Sequence, residues 1–364
     1  MMGKEQAMAK ALDDPARMAV LIDTLQGLLN EDAASTAGTV NGVGSARVAV
    51  VSIHTGARSW TAGLARRGEA AIRPSPDVRG LVYSLTKSMM AAAVLRLAAR
   101  GVVDLDGPAE VWLPELAERS DSVTVARILE HRAGLPDYGG RRDYHAAVAA
   151  GHAPWSEAEF LARCGVVGPP IGAFAYSNVG YLLIRRLLTR AGGAPFDEVL
   201  RQEVFAPLGL TSASVVERAK DLDGLLFGPS SVFGEAPVAE RYHPGWVAHG
   251  VAAMTAQDAA RFVHGLSNPD YLPDSLSRRM RAGLPVNAPM GGRPWVEPSY
   301  GLGLMVELDP QVGSSWGHTG GGPGITPVAY HFPGPQPLSV AVFTDGEDAA
   351  LAEWMAVEAA QRLR

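Results

Sequence analysis

An α+β fold is predicted for this chain, with strands contributed by both ends and a mainly helical stretch between them. Three observations carry that expectation. Residues 46–53 alternate and are rich in Val, and a turn at Gly56 leads to a second strand over 58–62. From about residue 123 to 266 helix-like segments are joined by Pro and Gly loops. After Tyr300 the chain changes to short apolar runs separated by turn residues.

Taken in order, residues 13–30 pattern as an amphipathic helix, followed by the strand, turn and strand just described. Residues 84–100 are helical in composition, with Met89, Met90, Leu95 and Leu97, and stop at Gly101. Apolar residues surround most of that segment, so it is expected to be buried. Helices are expected over 123–130, 179–191, 196–205 and 256–266. Strands are expected over 302–307, 326–332 and 338–344, with a closing helix over 349–363. The domain organisation predicted is a sheet domain of residues 1–80 and 285–364, and a mainly helical domain of residues 81–284. A cleft where they meet is the natural place for a substrate.

The 364 residues, 47% hydrophobic and 19% charged, suffice for a large core. A net charge of -6 without any basic run argues against a nucleic-acid or anionic-membrane partner. Lys4, Glu5, Lys10, Asp13, Asp14 and Arg17 break up the first thirty residues, which therefore lack an export-signal core. The apolar run 89–99 contains Arg96 and is too short for a bilayer of about 30 Å. A cytoplasmic protein is expected. Cys164 is the sole cysteine, so no intramolecular disulfide can form, and it reads as core filler.

Only Lys4, Lys10, Lys87 and Lys220 among the 32 basic residues are lysines. Under so strong a bias toward Arg, a retained lysine is a candidate for chemistry that Arg cannot perform, because Arg stays protonated. Lys87 stands in Tyr83-Ser84-Leu85-Thr86-Lys87 at the start of the 84–100 helix. A spacing of three puts the hydroxyl and the amine on one face, one turn apart. A lysine desolvated among apolar neighbours can deprotonate a serine, and a helix N-terminus favours the negative charge that develops there. The plainer reading is a capping serine followed by a solvated lysine.

Two more constellations follow. Tyr176-Ser177-Asn178 would present a phenol and an amide at the mouth of the next helix. His318-Thr319-Gly320 ends an apolar run as an edge strand entering a turn would. Singly, the first is ordinary capping chemistry and the second an ordinary glycine turn.

Taken in order, S-x-x-K, Y-x-N and H-x-G, separated by roughly ninety and then one hundred and forty residues, resemble the penicillin-recognising serine enzymes. These are the class C β-lactamases, the D-alanyl-D-alanine carboxypeptidases and the family VIII esterases and acyltransferases. The stretches Leu129-Glu130-His131-Arg132-Ala133-Gly134-Leu135-Pro136, Phe205-Ala206-Pro207-Leu208-Gly209-Leu210 and Tyr300-Gly301-Leu302-Gly303 are similar to that family too, and the resemblance spans residues 45–360. It implies a β-lactamase-like fold, an antiparallel sheet flanked by helices. It implies Ser84 as nucleophile, Lys87 as its base and Tyr176 as proton relay. The backbone N–H groups of Ser84 and Gly321 would form the oxyanion hole. Asn178, His318, Thr319 and Gly320 would bind substrate, and Gly321 and Gly322 would let it approach the strand closely. No cofactor or metal is implied. One position departs from the pattern of the class C enzymes, which carry Lys where His318 stands, and this weighs against efficient β-lactam hydrolysis.

Other motifs fail to complete. Gly228-Pro229-Ser230-Ser231-Val232 is only a near miss to G-x-S-x-G, and the glycine turn at 317–324 has no following Gly-Lys-Ser or Gly-Lys-Thr. His131, His145, His152, His243 and His249 lack metal-ligand spacing and read as ordinary loop or surface histidines. Three functions stay open: hydrolysis of a small ester or amide, transfer of the acyl group to an amine or alcohol, or a sensor that keeps the fold without turnover. Acyl transfer is compatible with the making of a specialised metabolite. The partners expected are a small-molecule acyl donor and, for a transferase, an amine or alcohol acceptor. β-Lactamase or D-alanyl-D-alanine carboxypeptidase activity is the alternative.

Overall fold

The computed structural model describes residues 10–35, 45–119, 122–287, 290–309 and 314–364. Residues 1–9, which include Lys4 and Glu5 of the N-terminal reading, lie outside them. Strands β1 (Val48–His54) and β2 (Ser59–Ala65) form the expected hairpin. The free side of β1 pairs antiparallel with β11 (Leu338–Thr344), so that Val50 lies opposite Phe343. β10 (Thr326–Phe332), β9 (Ser315–Thr319), β8 (Met305–Glu307), β7 (Pro298–Tyr300) and β6 (Leu284–Pro285) extend the sheet in that order, every pair antiparallel. Both ends of the chain thus build one sheet. The Asp345 carboxylate ties them by accepting the Arg47 and Val48 amides at 2.6 and 2.8 Å.

The near-continuous apolar runs of the central strands follow from burial on both faces. Ala49, Val51, Ile53, Val340 and Val342 face a core filled by α1 (Pro15–Ser35) and the closing helix α11 (Ala349–Leu363). Val50, Ala341 and Phe343 face the opposite core, where α9 (Ala256–Gly265) packs on β1, β10 and β11. The period-2 alternation of strands assigns these neighbours to different layers.

A second, three-stranded sheet lies within the middle of the chain, in the order β3 (Arg79–Leu81), β5 (Val251–Thr255) and β4 (Ser214–Val216). That stretch was expected to be mainly helical. Two of these strands are three residues long, too short to show an alternation. Around them stand α2 (Leu85–Ala99), α3 (Val125–Leu129), α4 (Arg142–Ala149), α5 (Glu157–Cys164), α6 (Asn178–Gly192), α7 (Phe196–Leu200) and α8 (Val238–Arg241), with α10 (Asp274–Arg281) leading into β6. Cys164 closes α5, partly buried against the core. Helix α2 packs against α6 on one side and β9 on the other, and twelve of its fifteen residues are buried. An all-round apolar helix is stable only in such a position, and its N-terminus therefore opens where the two sheets approach.

Strand β9 differs from its expectation. It pairs with β8 and β10, so it is an interior strand and not an edge. All five of its residues are buried.

Candidate active site

Ser84 occupies the N-cap position of α2, but its hydroxyl makes no capping hydrogen bond. The plain capping reading fails at that point. Instead Lys87 Nζ lies within hydrogen-bonding distance of Ser84 Oγ, at 3.0 Å, and the Tyr176 phenol donates to the same oxygen at 3.0 Å. Tyr83, just before Ser84, holds a φ of +38°, a left-handed conformation that costs a non-glycine residue energy. It is held by its ring, whose hydroxyl donates to the Pro323 carbonyl at 3.2 Å. Gly322 makes room for that ring: a Cβ there would lie 2.3 Å from it. The glycine at 322 therefore answers to Tyr83, whereas the Cβ direction of Gly321 meets open space.

Lys87 is fully buried, and burial lowers its amine from 10.5 to about 7, against a smaller raising effect from Asp137. Near neutral pH a large fraction is uncharged and able to take a proton. Burial raises the Tyr176 phenol above its ordinary value, offset in part by the bond to Ser84, so Tyr176 remains a proton donor. Its ring stacks on His131 with centroids 4.2 Å apart. His131 holds a φ of +57° and accepts the Ser177 amide on Nδ1 at 3.0 Å, which fixes its own orientation and hence that of Tyr176.

Ser177, not Asn178, caps α6, accepting the Gly180 amide at 2.9 Å and donating to the Pro136 carbonyl at 2.6 Å. Asn178 follows at the first helical position. Its backbone N–H and Nδ2 both donate to Asp137 Oδ1, at 2.8 and 2.9 Å. The amide is thereby set rigidly in the cavity wall, with its oxygen left available as an acceptor.

The cavity beside Ser84 encloses about 390 Å³ and is bordered by Tyr83, Tyr138, Tyr144, Tyr242, Val148 and Val247, together with Asn178, His249, Gly321 and Gly322. No Lys or Arg of the described residues borders it, and Glu347 is its one carboxylate. Neither the Ser84 nor the Gly321 backbone N–H is paired with an acceptor among the described residues. Two such donors beside a serine hydroxyl suit an oxyanion.

His318 and Thr319, which the resemblance puts on the substrate wall, lie inside the sheet. His318 is fully buried; its Nδ1–H donates to the Thr319 carbonyl at 2.7 Å and its Nε2 accepts from Tyr300 at 3.0 Å. Burial lowers it to about 3, so it stays neutral. Thr319 donates to Glu353, which Arg293 clamps from the other side, and bonds Tyr330 at 2.9 Å. Neither residue borders the cavity, because each side chain is packed against partners on its own face of β9, His318 on Tyr300 and Thr319 on Tyr330 and Glu353. Gly320 is buried as well, with its N–H donated to Pro327 at 2.7 Å, and a Cβ there would lie 2.5 Å from the Val82 carbonyl. It lets the strand end lie against the residues before Ser84.

Two histidines expected on loops or the surface are buried at the site. His131 holds Tyr176, and His249 places Nε2 3.2 Å from Lys87 Nζ. No sequence signal marks His249, which stands 162 residues from its partner. Among the described residues no group of three His, Cys, Asp or Glu is placed to hold a metal, and no helix is long and apolar enough to cross a membrane.

The family model described as beta-lactamase matches residues 37–361. Penicillin-binding protein 4* of Bacillus subtilis is 25% identical over 268 residues, which cover 68% of this chain and 57% of that protein, so the chain spans little more than half its length. Esterase EstB of Burkholderia gladioli is 28% identical, over 71% of this chain and 74% of its own. Among solved structures, a D-stereospecific amidohydrolase from Streptomyces superposes with a TM-score of 0.75 at 23% identity, covering 90% of this chain and 96% of that one.

Proposed function

This chain belongs to the beta-lactamase family, and from that premise we propose that it is a serine-nucleophile enzyme that cleaves a small ester or amide through an acyl-enzyme on Ser84. The observation that carries the reading is the convergence of Lys87 Nζ and the Tyr176 phenol on Ser84 Oγ, each at 3.0 Å. Neutral Lys87 takes the Ser84 proton as Oγ bonds to the carbonyl carbon. The oxyanion that forms faces the Ser84 and Gly321 amides. As it collapses, the bond to the leaving oxygen or nitrogen breaks and Tyr176 supplies the proton. In the second half the same pair activates the acceptor.

Water is the acceptor that agrees with relatives named as an esterase and an amidohydrolase. An amine or alcohol entering the same cavity would make the enzyme a transferase. The four tyrosines and three valines favour an acyl donor with an aromatic or branched aliphatic group. With no Lys or Arg of the described residues on the wall and the Glu347 carboxylate bordering it, carboxylate-bearing donors are disfavoured, which places β-lactams and peptides ending in a free carboxylate behind neutral esters and amides.

The test is the intact mass after mixing with an activated aromatic ester, for wild type and Ser84→Ala. An adduct in wild type alone, decaying to free acid, supports the hydrolase. Decay accelerated by a primary amine, with amide formed, supports the transferase. No adduct and no turnover over a panel of esters, amides and β-lactams would leave the sensor reading in its place.

A further inference from the structure

We infer that His249 is a positioning residue for the base: its Nε2 accepts one N–H of Lys87 and so turns the lone pair of the neutral amine toward the Ser84 hydroxyl. This rests on the reading of Ser84 as nucleophile and Lys87 as its base. A neutral amine has two N–H bonds and one lone pair, and it accepts the serine proton only when that lone pair faces Oγ. Lys87 Nζ lies 3.0 Å from Ser84 Oγ and 3.2 Å from His249 Nε2. With one N–H held by the imidazole, rotation about the Cε–Nζ bond is restricted and the lone pair can point at the nucleophile. Were Nε2–H to donate instead, it would occupy the lone pair the reaction needs.

The placement of His249 is not incidental. It ends the loop that enters β5, whose Ala252 carbonyl accepts the Val82 amide at 2.9 Å and whose Ala252 amide donates to the Thr86 hydroxyl at 3.1 Å. The strand that begins beside His249 therefore also fixes the segment carrying Ser84 and Lys87. The Ala248 amide donates to the Tyr138 hydroxyl at 3.1 Å, which anchors the loop from the other side. Asn178, another polar group of the wall, has its Nδ2 committed to Asp137.

The second nitrogen supplies an independent observation. His249 is 2% exposed, and its buried Nδ1 has no hydrogen-bond partner among the described residues. Nothing on that side fixes the tautomer, so the contact with Lys87 is what sets it, and the inference puts the proton on Nδ1. The groups that face the Lys87–His249 pair are Asp137, His131, Tyr176, Tyr181, Arg185 and His318. Of these only Asp137 and Arg185 carry charge near neutral pH, with opposite signs, while burial keeps His249 neutral.

The experiment follows the rate of Ser84 adduct formation from about pH 5 to about pH 9 in wild type, Ser84→Ala, His249→Leu and His249→Gln. In His249→Leu the plateau should fall by about 10²-fold, the scale of a misplaced reacting group. Its acid limb should move to lower pH, because the ammonium form loses an acceptor while burial remains. His249→Gln, whose amide oxygen can accept the same N–H, should keep the wild-type limb and a rate within about tenfold. A Leu variant with wild-type plateau and limb, or a Gln variant as slow as Leu with the same melting temperature as wild type, overturns the inference and leaves the acyl-enzyme reading standing. Absence of adduct in wild type overturns both. Nitrogen-15 NMR of the wild-type imidazole gives a check that needs no variant: a proton on Nδ1 supports the inference, and a proton on Nε2 overturns it.

Discussion

The Tyr176 phenol donates its proton to Ser84 Oγ across 3.0 Å while its ring lies on His131. A donor on the nucleophile's oxygen is useful only if its proton can move on to the leaving group, since a fixed bond there would lower the nucleophilicity of Ser84. Tyr176→Phe keeps the stacking on His131 and removes only that proton. We expect kcat to fall by about 10²–10⁴-fold, as for loss of a general acid. The loss should be largest for amides and smaller for esters with acidic leaving groups, and a leaving-group series in steady-state kinetics checks it.

With Lys87 proposed as the base, the reaction should take its pH dependence from that amine. Burial lowers its folded pKa from 10.5 to about 7, so the base is neutral above that value and charged below it. We expect kcat/KM to rise through an acid limb near pH 7 and to level off above it, in a full pH profile with a neutral ester. A flat profile down to pH 5 would assign the proton to another group.

The same shift has a sign for stability. Between about pH 7 and 10.5 the unfolded chain holds a proton on Lys87 that the folded chain lacks, so this group's contribution to stability rises with pH over that window. Each unit taken off the pKa corresponds to about 1.4 kcal/mol between charged and neutral forms. Lys87→Met fills a similar volume without that cost. The expected variant is inactive, melts at least as high as wild type at pH 7, and shows a weaker rise in melting temperature toward pH 9, as read by calorimetry.

The pairing of Ser84 with Lys87 could be read from the sequence because it uses one short spacing, whereas Tyr176, 92 residues on, was singled out only through the resemblance. Ser84 and Lys87 share one helical turn, and Tyr176 precedes a helix whose start is marked by Ser177. The hairpin of β1 and β2 and the closing strands were legible for a related reason, their apolar runs being seven residues long and bounded by turns. His249 and Asp137 were not legible. Each reaches its partner across a long stretch of chain, and neither sits in a pattern that burial would single out. The burial of His318 and Thr319 depends on what covers the two faces of β9 and on the strands that flank it. Strand order arises from tertiary packing, and a five-residue segment does not encode it.

Glu353 gives the last expectation. It is fully buried on α11, where Arg293 grips it with two nitrogens, Nε at 2.6 Å, and Thr319 and Tyr330 gather around it behind β9. Glu353→Ala would strand the Arg293 cation and leave the Thr319 hydroxyl with Tyr330 alone. Losing one partner of a buried pair costs about 3–5 kcal/mol, and the lower end applies because Arg293 keeps 23% exposure to water. Urea unfolding should show the midpoint fall with an unchanged slope. The acid limb should stay near pH 7, because none of these four groups touches Lys87. A limb that moved would mean that the back of β9 reaches Lys87 through His318, whose Tyr300 contact then becomes the route to examine.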